Sequence, residues 1–244
     1  MSGTQKHFAV RNRKEKHVRR VTHLMLGALL VAATAPAWSA SSGPSSMPSS
    51  MPNMPAREMT PEEQGKQAYN SGIRAASKGD KYAERAEKAT DDRKKEKALK
   101  EANEDYATAR AKFEQATQLA PSMPEAWNML GYTRRKLGDY DSALQAYEKS
   151  LSLRPSFPEA IEYRGEAYLR MKRFDDAKQA YLDLFAGNRK LADKLLGSMK
   201  SWIDSARASG TEGVEEFAKW VQERSQIAGQ TAALTREGAG ESWR

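Results

Sequence analysis

The sequence predicts an all-α protein: an α-solenoid of about three stacked helical hairpins, followed by a pair of capping helices. Three observations lead to this prediction. The segment PSMPEA at 121–126 returns as PSFPEA at 155–160, displaced by 34 residues. The same displacement aligns small residues with small ones and aromatic residues with aromatic ones. No stretch alternates between polar and apolar residues as a strand does. A fixed period of roughly 20 to 50 residues is typical of solenoids, whose units each pack on their neighbours.

The residues that align at this displacement indicate that the period is one of packing. Small residues let two helices approach closely, and aromatic rings fill the space between them. A scaffold built in this way is expected to bind a partner. The aligned pairs are Gly131 with Gly165, Tyr140 with Phe174, Ala143 with Ala177, Tyr147 with Tyr181, and Leu151 with Phe185.

Residues 1–37 are predicted to be a signal peptide. Seven basic residues precede an apolar run from Leu24 to Ala35, and the small residues Ala35 and Ala37 suit a cleavage site after Ala37. The apolar run is shorter than the roughly 20 residues of a membrane span, and an uncleaved membrane anchor is the alternative. We therefore expect a periplasmic or secreted protein with no stable membrane insertion after cleavage.

The composition of the exported part excludes several classes of function. Of the net charge of +8, the first 40 residues carry seven Lys and Arg against one Glu, which leaves 33 basic and 31 acidic residues. This balance gives no reason to expect a nucleic-acid partner. All three histidines lie in the signal peptide, and the chain has no cysteine. The exported part can therefore form no Ser-His-Asp triad, cysteine nucleophile, disulfide or usual zinc site. We expect no enzyme and no cofactor, with catalysis by carboxylates alone as the alternative.

Residues 38–59 are predicted to be a disordered linker. Ser, Pro and Met dominate this segment, and such a composition cannot bury enough apolar surface to offset the entropy lost on ordering. Thioethers are soft ligands that suit Cu(I), so copper handling is the alternative for this segment. The methionines concerned are Met47, Met51, Met54 and Met59.

The repeats are predicted to occupy residues 60–187, beginning at a helix capped by Thr60. Pro61 suits the first position of that helix, and Glu63 completes a capping box. The same spacing predicts capping boxes at Ser122 with Glu125 and at Ser156 with Glu159. The helices that follow are expected to turn at 138–139 and 172–173, and the second helices to end near 155 and 187.

The complete unit resembles the tetratricopeptide repeat, and the next unit resembles it less closely. The matching residues of the complete unit are Trp127, Leu130, Gly131, Gly138, Tyr140, Ala143, Tyr147 and Pro155. Those of the next are Gly165, Tyr168, Phe174, Ala177 and Tyr181, whereas Ile161 and Arg164 replace the tryptophan and the leucine. The resemblance implies a tetratricopeptide-like array of helical hairpins.

The first repeat is predicted to be split by a charged insertion. Its first-half glycine, Gly72, lies 59 residues before Gly131 instead of 34. The excess of 25 residues, at about 81–105, is close to seven helical turns. We expect the insertion to lengthen the second helix into one exposed helix from about Lys81 to Leu119, about 58 Å long. A hairpin with a break near 90–92 is the alternative.

Residues 188–228 are predicted to form two capping helices. Apolar residues recur there at helical spacing on both sides of a turn at 209–211. Repeat arrays need an atypical terminal unit to cover their last exposed face, and Trp202 and Trp220 are expected to lie in its core. Residues 229–244 are rich in glycine and are predicted to be a loose tail.

The resemblance implies that the first helices of the repeats line a concave groove that holds a protein or peptide. Chaperone-binding members clamp a carboxylate with a Lys and an Asn, but the matching positions here hold Asn128 and Tyr132, so that ligand is not transferred. Tyr132 is the expected anchor, with Arg135 one turn below to pair with a partner carboxylate. The ligand-facing positions are Asn128, Tyr132, Arg135, Lys136, Glu162, Glu166 and Arg170, with Tyr69 and Ile73 in the split repeat.

Together these features predict a monomeric or weakly associating adaptor of the bacterial cell envelope, which binds a peptide or a single helix. Three alternatives come from other classes of protein. They are a copper-handling protein that uses the methionine-rich linker, a carboxylate-dependent enzyme acting on glycan, and a stiff spacer built on the charged insertion.

Overall fold

The structure is a computed structural model that describes residues 57–241. This part of the chain forms helices and no strand, which confirms the predicted all-α fold. The helices are α1 (Pro61–Glu87), α2 (Asp92–Leu119), α3 (Pro124–Lys136), α4 (Tyr140–Leu153), α5 (Pro158–Arg170), α6 (Phe174–Gly187), α7 (Arg189–Ala208) and α8 (Val214–Glu241). The predicted signal peptide and residues 38–56 of the predicted linker, including three of its four methionines, lie outside the described residues.

Over residues 57–241, none of the helices is both long and apolar enough to cross a lipid bilayer.

The helix starts agree with the sequence only in part. The capping box of Thr60 and Glu63 is formed, with each side chain accepting a hydrogen bond from the other's backbone amide at 3.2 and 2.8 Å. The boxes predicted at Ser122 and Ser156 are wrong, because α3 and α5 begin one residue later than expected. Apolar residues without a side-chain cap take the N-cap positions and pack toward the core, and these residues are Met123 and Phe157.

Each of the first two hairpins closes on a glycine that faces an aromatic ring. A Cβ added at Gly131 would lie 2.6 Å from the ring of Tyr147, and one added at Gly72 would lie 2.7 Å from the ring of Phe113. Gly131 and Tyr147 are 16 positions apart in the sequence, whereas Gly72 and Phe113 of the first repeat are 41 positions apart. The packing contact is therefore kept in the first repeat, although 25 more residues lie between its two partners.

The insertion does not form one long helix. Helix α1 continues to Glu87, the chain turns, and α2 begins after Asp91, whose carboxylate accepts a hydrogen bond from the Lys94 amide at 2.9 Å. The expected single helix from Lys81 to Leu119 is therefore wrong, and the hairpin is formed instead. The inserted residues lengthen both helices of the repeat, which pack against each other along their length.

The long hairpin is held by a stripe of small residues on α1. Glycine recurs on α1 every seven residues. With each step along α1 to the next glycine, the residue that it contacts on α2 or at the α2 C-cap lies seven positions earlier in the sequence. The pairs are Gly65 with Ala120, Gly72 with Phe113, and Gly79 with Tyr106. A spacing of seven residues keeps one face of each helix toward its partner. In a single helix from Lys81, Tyr106 would lie roughly 38 Å away from Lys81 and could not meet Gly79, so these contacts require the hairpin.

The insertion interrupts a turn that the next repeat contains intact. In that repeat, Gly138 turns the chain with φ of 85° between α3 and α4, and residues 138–140 read Gly-Asp-Tyr. In the first repeat Gly79 and Asp80 precede the insertion, and Tyr106 follows it. Gly79 lies within α1, and a Cβ added to it would lie 2.9 Å from the Tyr106 ring. The residues that flank the insertion thus stay neighbours in space.

The C-terminal helices pack against the last repeat through aromatic rings. The Trp202 ring lies 5.1 Å from that of Phe174, and the Trp220 ring lies 5.6 Å from that of Tyr181. Helix α8 runs to Glu241, so the loose tail predicted from Gly229 is wrong up to that residue. Good helix formers outnumber glycine in this segment and can extend a helix whose first turns are already packed.

Candidate functional site

A cavity of about 460 Å³ lies between α3, α5 and α7. The first two of these are the first helices of their hairpins, and α7 packs beside α5 in the same row. We call this cavity the groove. Its lining residues are Arg135, Lys136, Glu166, Leu169, Arg170, Gly197, Ser198, Ser201, Trp202 and Ser205.

The structure separates the seven predicted ligand-facing residues into two sets. Those that line the groove are Arg135, Lys136, Glu166 and Arg170. The other three are buried, with exposed fractions of 4%, 8% and 0%, and they are Asn128, Tyr132 and Glu162. Tyr69 and Ile73 of the first repeat pack against the core that surrounds Phe113. The predicted ligand-facing surface is therefore only partly a surface.

Tyr132 is a core residue, so its predicted role as an exposed anchor is wrong. Its hydroxyl donates to the Asp80 carboxylate, which also accepts a hydrogen bond from the Tyr106 hydroxyl at 2.7 Å. The Tyr132 ring lies 5.1 Å from that of Tyr163. Burial, together with the Asp80 charge, raises the pKa of Tyr132 above its ordinary value. Removing this ring would disturb the packing of the hairpins as well as the binding of any partner. A substitution at Tyr132 therefore cannot test binding alone.

Arg135 is held by an ion pair within the chain. Its guanidinium lies 2.7 Å from the Glu166 carboxylate, and the two side chains are 11% and 19% exposed. The Ser198 hydroxyl donates to the same carboxylate at 2.8 Å. Burial acts to raise the pKa of Glu166, but the Arg135 charge and the Ser198 hydrogen bond hold it below its ordinary value. These contacts join α3, α5 and α7, so they keep the walls of the groove in place.

Glu162 is a buried carboxylate beneath the groove. Its side chain is fully buried and accepts a hydrogen bond from the Lys194 ammonium of α7 at 3.0 Å. Burial, and then repulsion from Glu166, raises the pKa of Glu162 from its ordinary value of 4.5 to about 7, against the opposing charges of Lys194 and Arg135. A carboxylate in such a position titrates near neutral pH and couples the stability of the groove to pH.

We expect Glu162→Gln to remove much of the pH dependence of stability between about pH 5 and about pH 8. The pKa of Glu162 is higher in the folded state than in the unfolded state. Its contribution to the free energy of unfolding is therefore fully present below pH 4.5, the ordinary pKa, and is lost as the pH rises through about 7. The wild-type chain should thus lose up to about 3 kcal/mol relative to the variant over this range. Urea unfolding at both pH values measures the difference. The same pH dependence in both chains would contradict this assignment.

Two cations of the groove are incompletely neutralised by the residues that the structure describes. The Lys136 ammonium lies 3.9 Å from the Asp80 carboxylate, and burial and the Arg135 charge lower the pKa of Lys136. Arg170 is exposed and forms no ion pair with any residue in the described part of the chain. These two residues occupy equivalent positions, 34 residues apart, at the ends of α3 and α5. They give the groove a positive wall.

Helix α7 supplies a wall that was not predicted from the sequence. Ser198, Ser201 and Ser205 follow one another at spacings of three and four residues, which places them on one helix face. Gly197 also lines the groove, and a Cβ added to it would meet nothing within 4 Å. The serine spacing is visible in the sequence, but the apolar residues of α7 indicate only a cap that covers the array.

A comparison with protein families identifies the repeat that contains α3 and α4. The family model described as the tetratricopeptide repeat matches residues 124–157, which contain α3 and α4. The resemblance predicted from the sequence is therefore confirmed. A search of curated proteins found no match. Tetratricopeptide repeats are, in general, modules for protein–protein interaction and not enzymes.

Proposed function

We propose that this chain is an exported adaptor of the bacterial cell envelope, which holds a short peptide segment of a partner protein in the groove. The observation that carries the proposal is the groove itself, which three helices of the row build and in which the described residues neutralise the positive charge of Lys136 and Arg170 only in part. The tetratricopeptide match supports a role in protein–protein interaction. The predicted signal peptide at 1–37 supports export.

The size and rigidity of the groove suit a peptide better than a large folded surface. Its volume of about 460 Å³ is in the range of sites that enclose a few side chains. The Arg135–Glu166 ion pair and the Ser198 hydrogen bond span all three walls, so little ordering entropy remains to be lost on binding. A preformed site of this kind can bind a flexible segment with useful affinity.

Site-specific crosslinking in living cells tests this proposal. A photo-crosslinking amino acid is placed at Ser201, which lines the groove, or at Gln145, which is exposed on α4. We expect a discrete protein adduct from Ser201 and none from Gln145. The adduct should disappear when Gly197→Leu fills the groove, because that side chain enters open space without clashing with the fold. An adduct that forms equally at both sites, or that survives Gly197→Leu, would contradict binding in the groove.

Cell fractionation of the same strains tests the location separately. We expect the processed chain in the periplasm or the medium, and loss of export when the apolar run of the signal peptide is interrupted by charge. A chain of unprocessed size in the cytoplasm would contradict export and leave the groove experiment to be interpreted by itself.

A further inference from the structure

We infer that the groove selects an acidic side chain next to an apolar one in the peptide that it binds. This inference rests on the proposed function and adds the chemistry of the ligand to it. The site is separate from the carboxylate clamp of the family, because the residues at those positions, Asn128 and Tyr132, are buried.

The charges of the groove favour an acidic group. Arg135 and Glu166 neutralise each other at 2.7 Å, which leaves Lys136, with its ammonium 3.9 Å from the Asp80 carboxylate, and Arg170, which has no ion pair in the described part of the chain, as the cations of the lining that are least compensated. A carboxylate placed between two cations forms charge-assisted hydrogen bonds, which are about twice as strong as neutral ones. The positive charge of the groove therefore favours a ligand that brings a carboxylate.

Asp80 compensates the charge of Lys136 only in part. Its Oδ1 atom lies 3.9 Å from the Lys136 ammonium, at the limit of an ion pair, and the same atom already accepts hydrogen bonds from Tyr106 and Tyr132. An oxygen that is shared among these donors is a weak partner for a further one. Burial and then the Arg135 charge lower the pKa of Lys136, although the Asp80 charge acts to raise it. An incoming carboxylate would favour the charged form of Lys136.

The opposite wall suits a peptide backbone. Ser201 is exposed. The Ser205 hydroxyl donates its hydrogen to the Ser201 carbonyl at 3.0 Å, so the Ser205 hydroxyl oxygen can still accept a hydrogen bond from a ligand. Gly197 lines the same cavity, and a Cβ added to it would meet nothing within 4 Å, so the space above this residue is open. A backbone can approach closely at a glycine because no side chain stands in the way.

An apolar floor lies beside the cations. Leu169 and Trp202 both line the groove, and the Trp202 ring is held against Phe174 at 5.1 Å. A fixed indole gives an apolar surface that loses little side-chain entropy when a ligand packs on it. The cations and this surface line the same cavity, so adjacent acidic and apolar residues of one peptide can reach both.

A selection experiment tests the inference with peptides of random sequence. Dodecapeptides displayed on phage are panned on the chain from residue 38 onward, and enriched peptides are synthesised with a fluorophore. We expect them to share an Asp or Glu beside an apolar residue. Fluorescence anisotropy should show affinity about tenfold weaker or worse for Lys136→Gln, for Arg170→Gln, and for a peptide with Asn or Gln at the acidic position.

Two further variants separate recognition from general attraction between charges. Lys149→Gln, at an exposed position of α4, should leave affinity unchanged, and Lys136→Glu with Arg170→Glu should bind the peptide whose acidic residue is replaced by Lys. Equal weakening by Lys149→Gln, or enriched peptides without acidic residues, would overturn the inference. If enriched peptides without acidic residues still lose binding on Gly197→Leu, the proposed function stands although the inference fails. If the peptides bind equally well to the Gly197→Leu variant, or if no peptide is enriched, the inference and the proposed function are both overturned.

Discussion

Replacing Gly72 by leucine is expected to disrupt the first hairpin and to lower the free energy of unfolding by about 3 kcal/mol or more. A Cβ at Gly72 would lie 2.7 Å from the Phe113 ring, which is fully buried. The added side chain must therefore separate α1 from α2 along their shared stripe of small residues. Urea unfolding, followed by circular dichroism, measures the loss.

Gly197→Leu is the matched control for this change. Both glycines lie inside helices, so each substitution gains roughly 1 kcal/mol or slightly less of helix propensity. Only Gly72 is packed, whereas a Cβ at Gly197 would meet nothing within 4 Å. We expect the Gly197 variant to be as stable as the wild type or slightly more stable. Equal destabilisation by both changes would show that Gly72 does not mark a close helix contact.

Deleting residues 81–105 is expected to convert the first repeat into one of ordinary length that still folds. The deletion joins Gly79 and Asp80 to Tyr106, which recreates the Gly-Asp-Tyr turn of residues 138–140. Gly72 and Phe113 would then be separated by the same sixteen residues as Gly131 and Tyr147. The helical signal in circular dichroism should fall by the share of the deleted residues alone, and unfolding should stay cooperative.

A change at Asp80 checks the new turn in the shortened chain. In the intact turn, the Asp139 carboxylate caps α4 by accepting a hydrogen bond from the Ser142 amide at 3.3 Å. Asp80 would take that role toward Thr108, and Asp80→Ala should then cost about 1 kcal/mol. An unfolded deletion variant would instead show that the long hairpin is needed to hold Tyr106 and Tyr132 in the core.

Much of the fold could be predicted because its main contacts follow from local spacing. The 34-residue displacement identified Gly131 and Tyr147 as packing positions, and the structure brings these two residues together. The alignment assigned Gly72 to the first half of the split repeat, and the structure packs this glycine against Phe113, 41 residues away. Such a period can be recognised in the sequence, because each helix must present its small residues and aromatic rings to the next helix.

The form of the insertion was predicted wrongly because helix propensity is similar in both arrangements. A continuous helix and a hairpin contain nearly the same number of helical residues, and the charged residues of 81–105 suit either one. The hairpin is selected by contacts between distant residues, above all the close approach of Gly79 to Tyr106. No local pattern reports such an approach before the two helices are placed side by side.

The candidate site shows the same division between local pattern and distant contact. Repeat position alone identified Lys136 and Arg170, and both line the groove. Repeat position could not reveal that Tyr132 is buried, because its acceptor Asp80 lies 52 residues away and next to the insertion.

The residues of this chain are sufficient to predict helices, their period and the positions of their packed faces, because neighbours along the chain decide these. Which polar groups neutralise one another, and which are left to face a ligand, depends on elements that meet only in the folded protein. The pairing of Arg135 with Glu166 and the serine wall of α7 arise at that level. Electrostatic interactions and burial depend on distances in space, so the tertiary structure alone determined the groove.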